Sequence, residues 1–185
     1  MKCCRSLRLR ALLFLSVACV LEPTHALTLE EARKIGGERE KKIFQSMPFY
    51  DPLGRQWTLQ KWAHLRKRPI MVVAWATYCG PCMGEMPSIQ EMKKIMGKSL
   101  DVLPICVEKL KPGYSLPNIK MPLFYSRSLA GMMSLFDMNG IPAVLIFSPD
   151  GQLLHREVGA KDWSSPENIK FLKNRIQSRL IRNNH

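Results

Sequence analysis

Seven consecutive apolar residues, Ile70 to Ala76, run into Thr77-Tyr78 and then Cys79-Gly80-Pro81-Cys82. A run this short, rich in strand formers and without polar alternation, suits a strand buried on both faces of a helix-covered sheet. Beyond the cysteines the apolar positions are Met83, Met86, Ile89, Met92, Ile95 and Met96. Their spacing of three and four predicts an amphipathic helix, with Pro87 as an internal kink. The cysteine pair therefore stands where a buried strand hands over to a helix.

The rest of the chain extends this alternation. Val102 to Val107 reads as a second buried strand, in which Pro104 is a misfit because an interior strand cannot spare that N–H. Leu123 to Tyr125 reads as a short strand and Leu129 to Phe136 as a helix. Val144 to Phe147 is a further strand, turned by Pro149-Asp150-Gly151 into Leu153 to Val158. Ser164 and Ser165, followed by Pro166 and Glu167, announce a last helix with Ile169, Leu172, Ile176 and Leu180 on one face. The layout is mixed α/β.

The charge has to be located before it is interpreted. Of 28 Lys and Arg against 15 Asp and Glu, Lys2, Arg5, Arg8 and Arg10 crowd the start. The apolar run Ala11 to Leu21 and then Thr24-His25-Ala26 follow, which are the three parts of a secretory signal. The run falls short of the roughly 20 residues that span a bilayer. Residues 1–26 are expected to be a signal peptide, 27–47 a charged spacer or surface helix broken at Gly36-Gly37, and 48–185 one domain. A competing reading makes Cys19 a lipoprotein processing site, with a lipid or membrane anchor. Removing four basic residues and Glu22 leaves a net charge of +10. That charge is spread along the chain without a basic-aromatic face, so nucleic acid is not an expected partner; an anionic membrane surface or an acidic partner stays open.

Cys3, Cys4 and Cys19 precede the expected cut, which leaves Cys79, Cys82 and Cys106. A sulfur at a helix N-terminus is favoured as thiolate by unpaired N–H groups and the dipole. A second sulfur one turn on can resolve a mixed disulfide. Zinc would want four ligands, and the sequence has neither a second Cys-x-x-Cys nor a His pair, so no metal site is expected. Cys106, on an apolar strand, reads as inert core, and the methionines at helical spacing, Met132-Met133 included, as packing rather than copper ligands.

Trp75-Ala76-Thr77-Tyr78-Cys79-Gly80-Pro81-Cys82, with Glu85 and Pro87 after it, resembles the thioredoxin superfamily, and most of all its exported TlpA/ResA/DsbE-like branch. Gly140-Ile141-Pro142 before a strand and Pro-Asp-Gly resembles the second signature of that branch. The resemblance covers about residues 48 to 181. It implies a thioredoxin-like fold, a central mixed β-sheet flanked by helices. Cys79 and Cys82 are the implied redox pair and Pro142 the implied cis-proline, which turns the Ile141 backbone toward an incoming chain. The implied substrate surface is Trp75, Tyr78, Gly80, Pro81 and Ile141. Glu85 is implied to be a partly buried acid that raises cysteine pKa values and relays a proton; Val73 stands where thioredoxin usually has its acid. Two departures matter: Tyr78 replaces the usual Trp, and the proline-rich segment 108–122 leaves little room for the helix the branch inserts there.

The expectation is an exported, periplasmic thiol–disulfide oxidoreductase that reduces protein disulfides, without a cofactor, since no dinucleotide fingerprint is present. Its electrons would come from a membrane thiol donor, and the resemblance implies work in cytochrome c or oxidase assembly. An oxidase or isomerase, or a non-enzymatic copper or thiol chaperone, is the alternative. Oligomeric state is not legible.

Overall fold

The computed structural model describes residues 29–111, 113–127 and 139–182. The expected signal, the helix expected at 129–136 and Met132-Met133 lie outside the described residues. In chain order the elements are α1 (Leu29–Ser46), β1 (Pro48–Tyr50), β2 (Gln56–Thr58), α2 (Leu59–Arg66), β3 (Ile70–Trp75), α3 (Gly80–Met96), β4 (Asp101–Cys106), β5 (Phe124–Tyr125), β6 (Ala143–Phe147), β7 (Leu153–Val158) and α4 (Pro166–Arg182).

These build one seven-stranded mixed sheet of order β2-β1-β5-β4-β3-β6-β7. β3 is parallel to β4 and antiparallel to β6, and all six of its residues are buried. Pro104 fits β4 because of register. Asp101 and Val107 donate their N–H groups to the β3 side, to the carbonyls of Pro69 and Trp75. Even-numbered residues of β4 therefore face β5, which pairs only with Ile105 and Cys106. The N–H that Pro104 lacks points where no partner strand has yet begun.

Of the two alternatives expected for the N-terminal segment the helix is observed, and the expected break is corrected. α1 runs unbroken through Gly36-Gly37. Its last turns are not a spacer: Ile43 and Phe44, with Met47 just past the helix, are buried in the core. Burying an Ile or Phe side chain stabilises by about 1.5–3 kcal/mol, which outweighs the roughly 1 kcal/mol helix penalty of a glycine. Gly151 shows how closely α1 packs. Its φ is +90°, and a Cβ there would lie 2.6 Å from the Phe44 ring. α3 buries Cys82, Glu85, Met86, Ile89, Met92 and Met96, whereas Ile95, expected on that face, is exposed. Pro87 lies inside the helix and withholds the N–H that Met83 would accept. Between Glu108 and Pro122 the described residues form turns and no helix, as the prolines there foretell.

Candidate active site

The end of β3 and the start of α3 place the two cysteines. Cys79 caps α3 in an extended conformation, with Gly80 and Pro81 opening the helix. Proline suits that position because its missing N–H would be unpaired in any case. Cys79 and Cys82 are joined as a disulfide. The Cys82 N–H points at Cys79 Sγ from 3.2 Å, so a thiolate at Cys79 would inherit both this hydrogen bond and the positive end of α3. Cys79 is 7% exposed and Cys82 only 1%. That difference decides which sulfur an incoming chain can reach.

Facing the pair is the turn into β6. The Ile141–Pro142 bond is cis, and the Ile141 carbonyl oxygen lies 3.8 Å from Cys79 Sγ. Tyr78, Gly80 and Pro81 are exposed and Ile141 is half-buried, so these four expected substrate contacts surround the sulfurs at the surface. Trp75 does not join them. It is fully buried, packs against Tyr114, and its indole N–H has no hydrogen-bond partner. As the last residue of an interior strand it lies beneath the loop rather than at the surface.

Glu85 lies one turn beyond Cys82 on the buried face of α3 and is 4% exposed. Its Oε1 accepts from the Trp163 indole N–H at 2.6 Å and from the Lys161 backbone N–H at 3.2 Å. Its Oε2 has no partner. Burial raises its pKa, the two hydrogen bonds oppose that shift, Glu157 adds to it and Lys161 opposes it. The Lys161 ammonium is drawn aside, paired with Glu157 and lying over the Trp163 ring. A cleft of about 590 Å³ runs beside this acid, lined by Pro81, Gly84, Pro87 and Lys161 among others.

One further residue escaped the sequence reading. Glu108 Oε2 accepts from both the N–H and the hydroxyl of Thr77, each at 2.8 Å. It thereby ties the turn before Cys79 to the end of β4. The same oxygen is 3.9 Å from Cys106 Sγ. Burial first, with the Glu108 charge adding, pushes the Cys106 thiol up to about 11, so it stays protonated and unreactive near neutral pH. The cue for Glu108 is tertiary: its partner Thr77 stands 31 positions earlier in the chain, beyond the reach of any local pattern.

No family model matches this sequence. A thioredoxin of Rhodospirillum rubrum is 28% identical over 92 residues, which is 50% of this chain and 69% of that protein. Among solved structures, the thioredoxin domain of a thiol–disulfide oxidoreductase from Bacteroides vulgatus superposes with a TM-score of 0.56 at 10% identity, covering 70% of this chain and 92% of its own. An exposed lipoprotein thioredoxin from Streptococcus pneumoniae has a TM-score of 0.51 at 16% identity, covering 68% and 98%. The expected fold is thus observed: a thioredoxin-like mixed sheet flanked by helices.

Proposed function

We propose that this chain is an exported thiol–disulfide oxidoreductase that reduces disulfides in protein substrates through Cys79 and Cys82. The observation that carries the reading is a cysteine pair at a helix N-terminus, one sulfur reachable and one buried, facing the Ile141 carbonyl. In the reduced protein the Cys79 thiolate attacks one sulfur of a substrate disulfide. An S–S bond forms to Cys79, and the other substrate sulfur leaves as thiolate and is protonated. Cys82, deprotonated, then attacks Cys79 Sγ and releases the second substrate thiol. Two electrons and two protons pass to the substrate, and the chain is left as the Cys79–Cys82 disulfide. The half-buried Ile141 backbone offers the substrate an extended partner. Glu85, a buried acid one turn from Cys82, is the group proposed to take the proton of the resolving thiol.

Two considerations support the reducing direction and the compartment. The Gly-Pro centre matches thioredoxin, near about −270 mV, rather than DsbA near about −120 mV. The N-terminal charged and apolar pattern is that of a secretory signal. Regeneration then needs a thiol donor that delivers electrons across the membrane. The proposed substrates are exported proteins whose cysteines must be reduced before haem or copper is loaded.

The test is the redox potential, measured by equilibration with thiol buffers, together with insulin reduction. A potential near that of DsbA with fast oxidation of reduced substrates would overturn the direction. A Cys82→Ser variant should trap substrates as mixed disulfides on Cys79, which identifies them. N-terminal sequencing of the exported protein should find Leu27; an intact start, or a lipidated Cys19, would refute cleavage after Ala26.

A further inference from the structure

Positive charge collects at the end of the sheet opposite the cysteines. Arg66-Lys67-Arg68 closes α2 and leads into Ile70, the first residue of β3, which is in register with Asp101. Asp101 accepts from Arg66 Nε at 3.0 Å, Arg68 Nη1 at 3.4 Å and the Trp62 indole N–H at 3.0 Å. Lys93, in the last turn of α3, lies within electrostatic reach of the same acid and of Arg66. Burial lowers its pKa, Asp101 opposes the shift and Arg66 adds to it. Lys93, Lys94 and Lys120 share a cleft of about 400 Å³ floored by Gly97, Met121 and Pro122, and Lys98 lies in the turn that follows.

The Asp101 cluster and this cleft thus bring together seven basic side chains and two acids, Asp101 and Glu91. Both acids already have partners, Asp101 in the arginines and Glu91 in Lys94 at 2.7 Å. Lys67, Lys93, Lys98 and Lys120 have no ion-pair partner within 4 Å among the described residues. A role in offsetting the negative end of α3 accounts for Lys93 and Lys94, but not for Lys67, at the end of α2, Lys98, in the turn after α3, or Lys120, whose backbone N–H is held by Gln90 alongside the helix.

We propose that this end of the molecule docks on the headgroups of an anionic membrane, with the cysteine pair held facing away from the bilayer. α3 joins the two ends and has 17 residues, so about 25 Å separates the lysines at its C-terminal end from Cys79, with Lys120 nearer, beside Gln90. That places the redox pair beyond the headgroup layer and open to partners. The chemistry favours lipid over an acidic protein. The two arginines, whose planar forks would recognise carboxylates, are engaged by Asp101. The remaining lysines are compact point charges spread over a loop, a helix end and a turn, which suits a diffuse layer of negative charge. This inference stands apart from the redox reading.

The experiment is sedimentation of the full-length chain with phosphatidylcholine vesicles, with and without phosphatidylglycerol, at low and high salt. Two triple variants are compared. One carries Lys67→Gln, Lys98→Gln and Lys120→Gln. The other carries Lys109→Gln, Lys111→Gln and Lys170→Gln, an equal loss of charge away from the basic end. All six lysines are exposed, and unchanged insulin reduction verifies both folds. Since each lysine near an anionic surface contributes about 1 kcal/mol, the first triple should bind phosphatidylglycerol vesicles at least about tenfold more weakly than the wild type, and the second within about threefold. Equal weakening of both triples, as total charge would give, or no weakening by either, as the N-terminal basic run would give, would overturn the proposal. Binding that ignores phosphatidylglycerol and salt, or no binding at all as an acidic protein partner would give, would overturn it too.

Discussion

Two buried carboxylates mark opposite ends of this sheet, each held by a tryptophan indole, and they are treated differently. Asp101, at the start of β4, has Trp62, Arg66 and Arg68 distributed over both of its oxygens. Glu85, beyond Cys82, has Trp163 and a backbone N–H on one oxygen and nothing on the other. Among the described residues no cation hydrogen-bonds to it, and the Lys161 ammonium pairs with Glu157. The first arrangement leaves a buried carboxylate with both of its oxygens partnered. One that can take up a proton needs the second, an oxygen free of donors in a poorly solvated place. The difference separates an acid that fixes structure from one poised for proton traffic.

The largest effects should fall at the redox end. Cys79→Ser should abolish insulin reduction while leaving the urea midpoint of the reduced protein nearly unchanged. Cys106→Ala should keep most activity, because its thiol is buried and protonated. Equal loss from both changes would make Cys106 a participant in exchange. At the other end the pattern should invert. Asp101→Ala should cost about 2 kcal/mol of stability, since it strands the half-buried Trp62 N–H and two guanidinium groups. Larger values are not expected, because Arg66 and Arg68 reach water. Activity per folded molecule should stay the same. A selective fall in activity would break the contrast between the two ends.

Glu108 tests where the redox end stops. Glu108→Ala releases both hydrogen bonds to Thr77 and should slow Cys79 alkylation and insulin reduction several-fold. Glu108→Gln keeps an acceptor oxygen and should recover most of the rate. If both variants match the wild type, the turn before Cys79 needs no clamp.

What could be read in advance was local. The Ile70–Ala76 run, the Cys-x-x-Cys spacing, Pro166 with Glu167 after the serine caps, and Ile141-Pro142 each carry their information within a few residues. Ser165 is the serine that caps α4, accepting from the Asn168 N–H at 3.3 Å. What escaped depends on partners far along the chain. Glu85 was named as a buried acid, but its partner Trp163 stands 78 positions on, and Glu108 meets Thr77 across 31. Pro104 looked wrong in a strand because the alternation alone does not say which side its nitrogen faces or where β5 begins. Trp75 was expected at the substrate surface on motif position, yet a run buried on both faces already argued for the interior. The helix through Gly36-Gly37 was missed because propensity was weighed without the burial of Ile43 and Phe44.

The smallest effect, and the sharpest test of the contrast, is Glu85→Gln. The amide oxygen can still accept from Trp163 and Lys161, so the packing at the start of α3 should survive. The neutral side chain removes the penalty of a buried charge but adds a buried amide N–H₂ where Oε2 found no partner, so the net change at pH 7 should be within about 1 kcal/mol. The pH dependence is clearer than the size. Because burial raises the folded pKa above 4.5, the native state holds this proton more tightly than the unfolded chain does. Its contribution to stability is therefore fully present below about 4.5 and lost as pH rises through the folded pKa. The wild type should lose stability relative to Glu85→Gln across that window, which urea midpoints at neutral and mildly acid pH will show. Reactivity should change as well. A neighbouring anion disfavours thiolate, so the variant should react with alkylating agents at lower pH, yet turn over disulfides more slowly for want of a proton acceptor. Superimposable alkylation profiles and equal turnover would place Glu85 with Asp101, as an acid that only holds the fold.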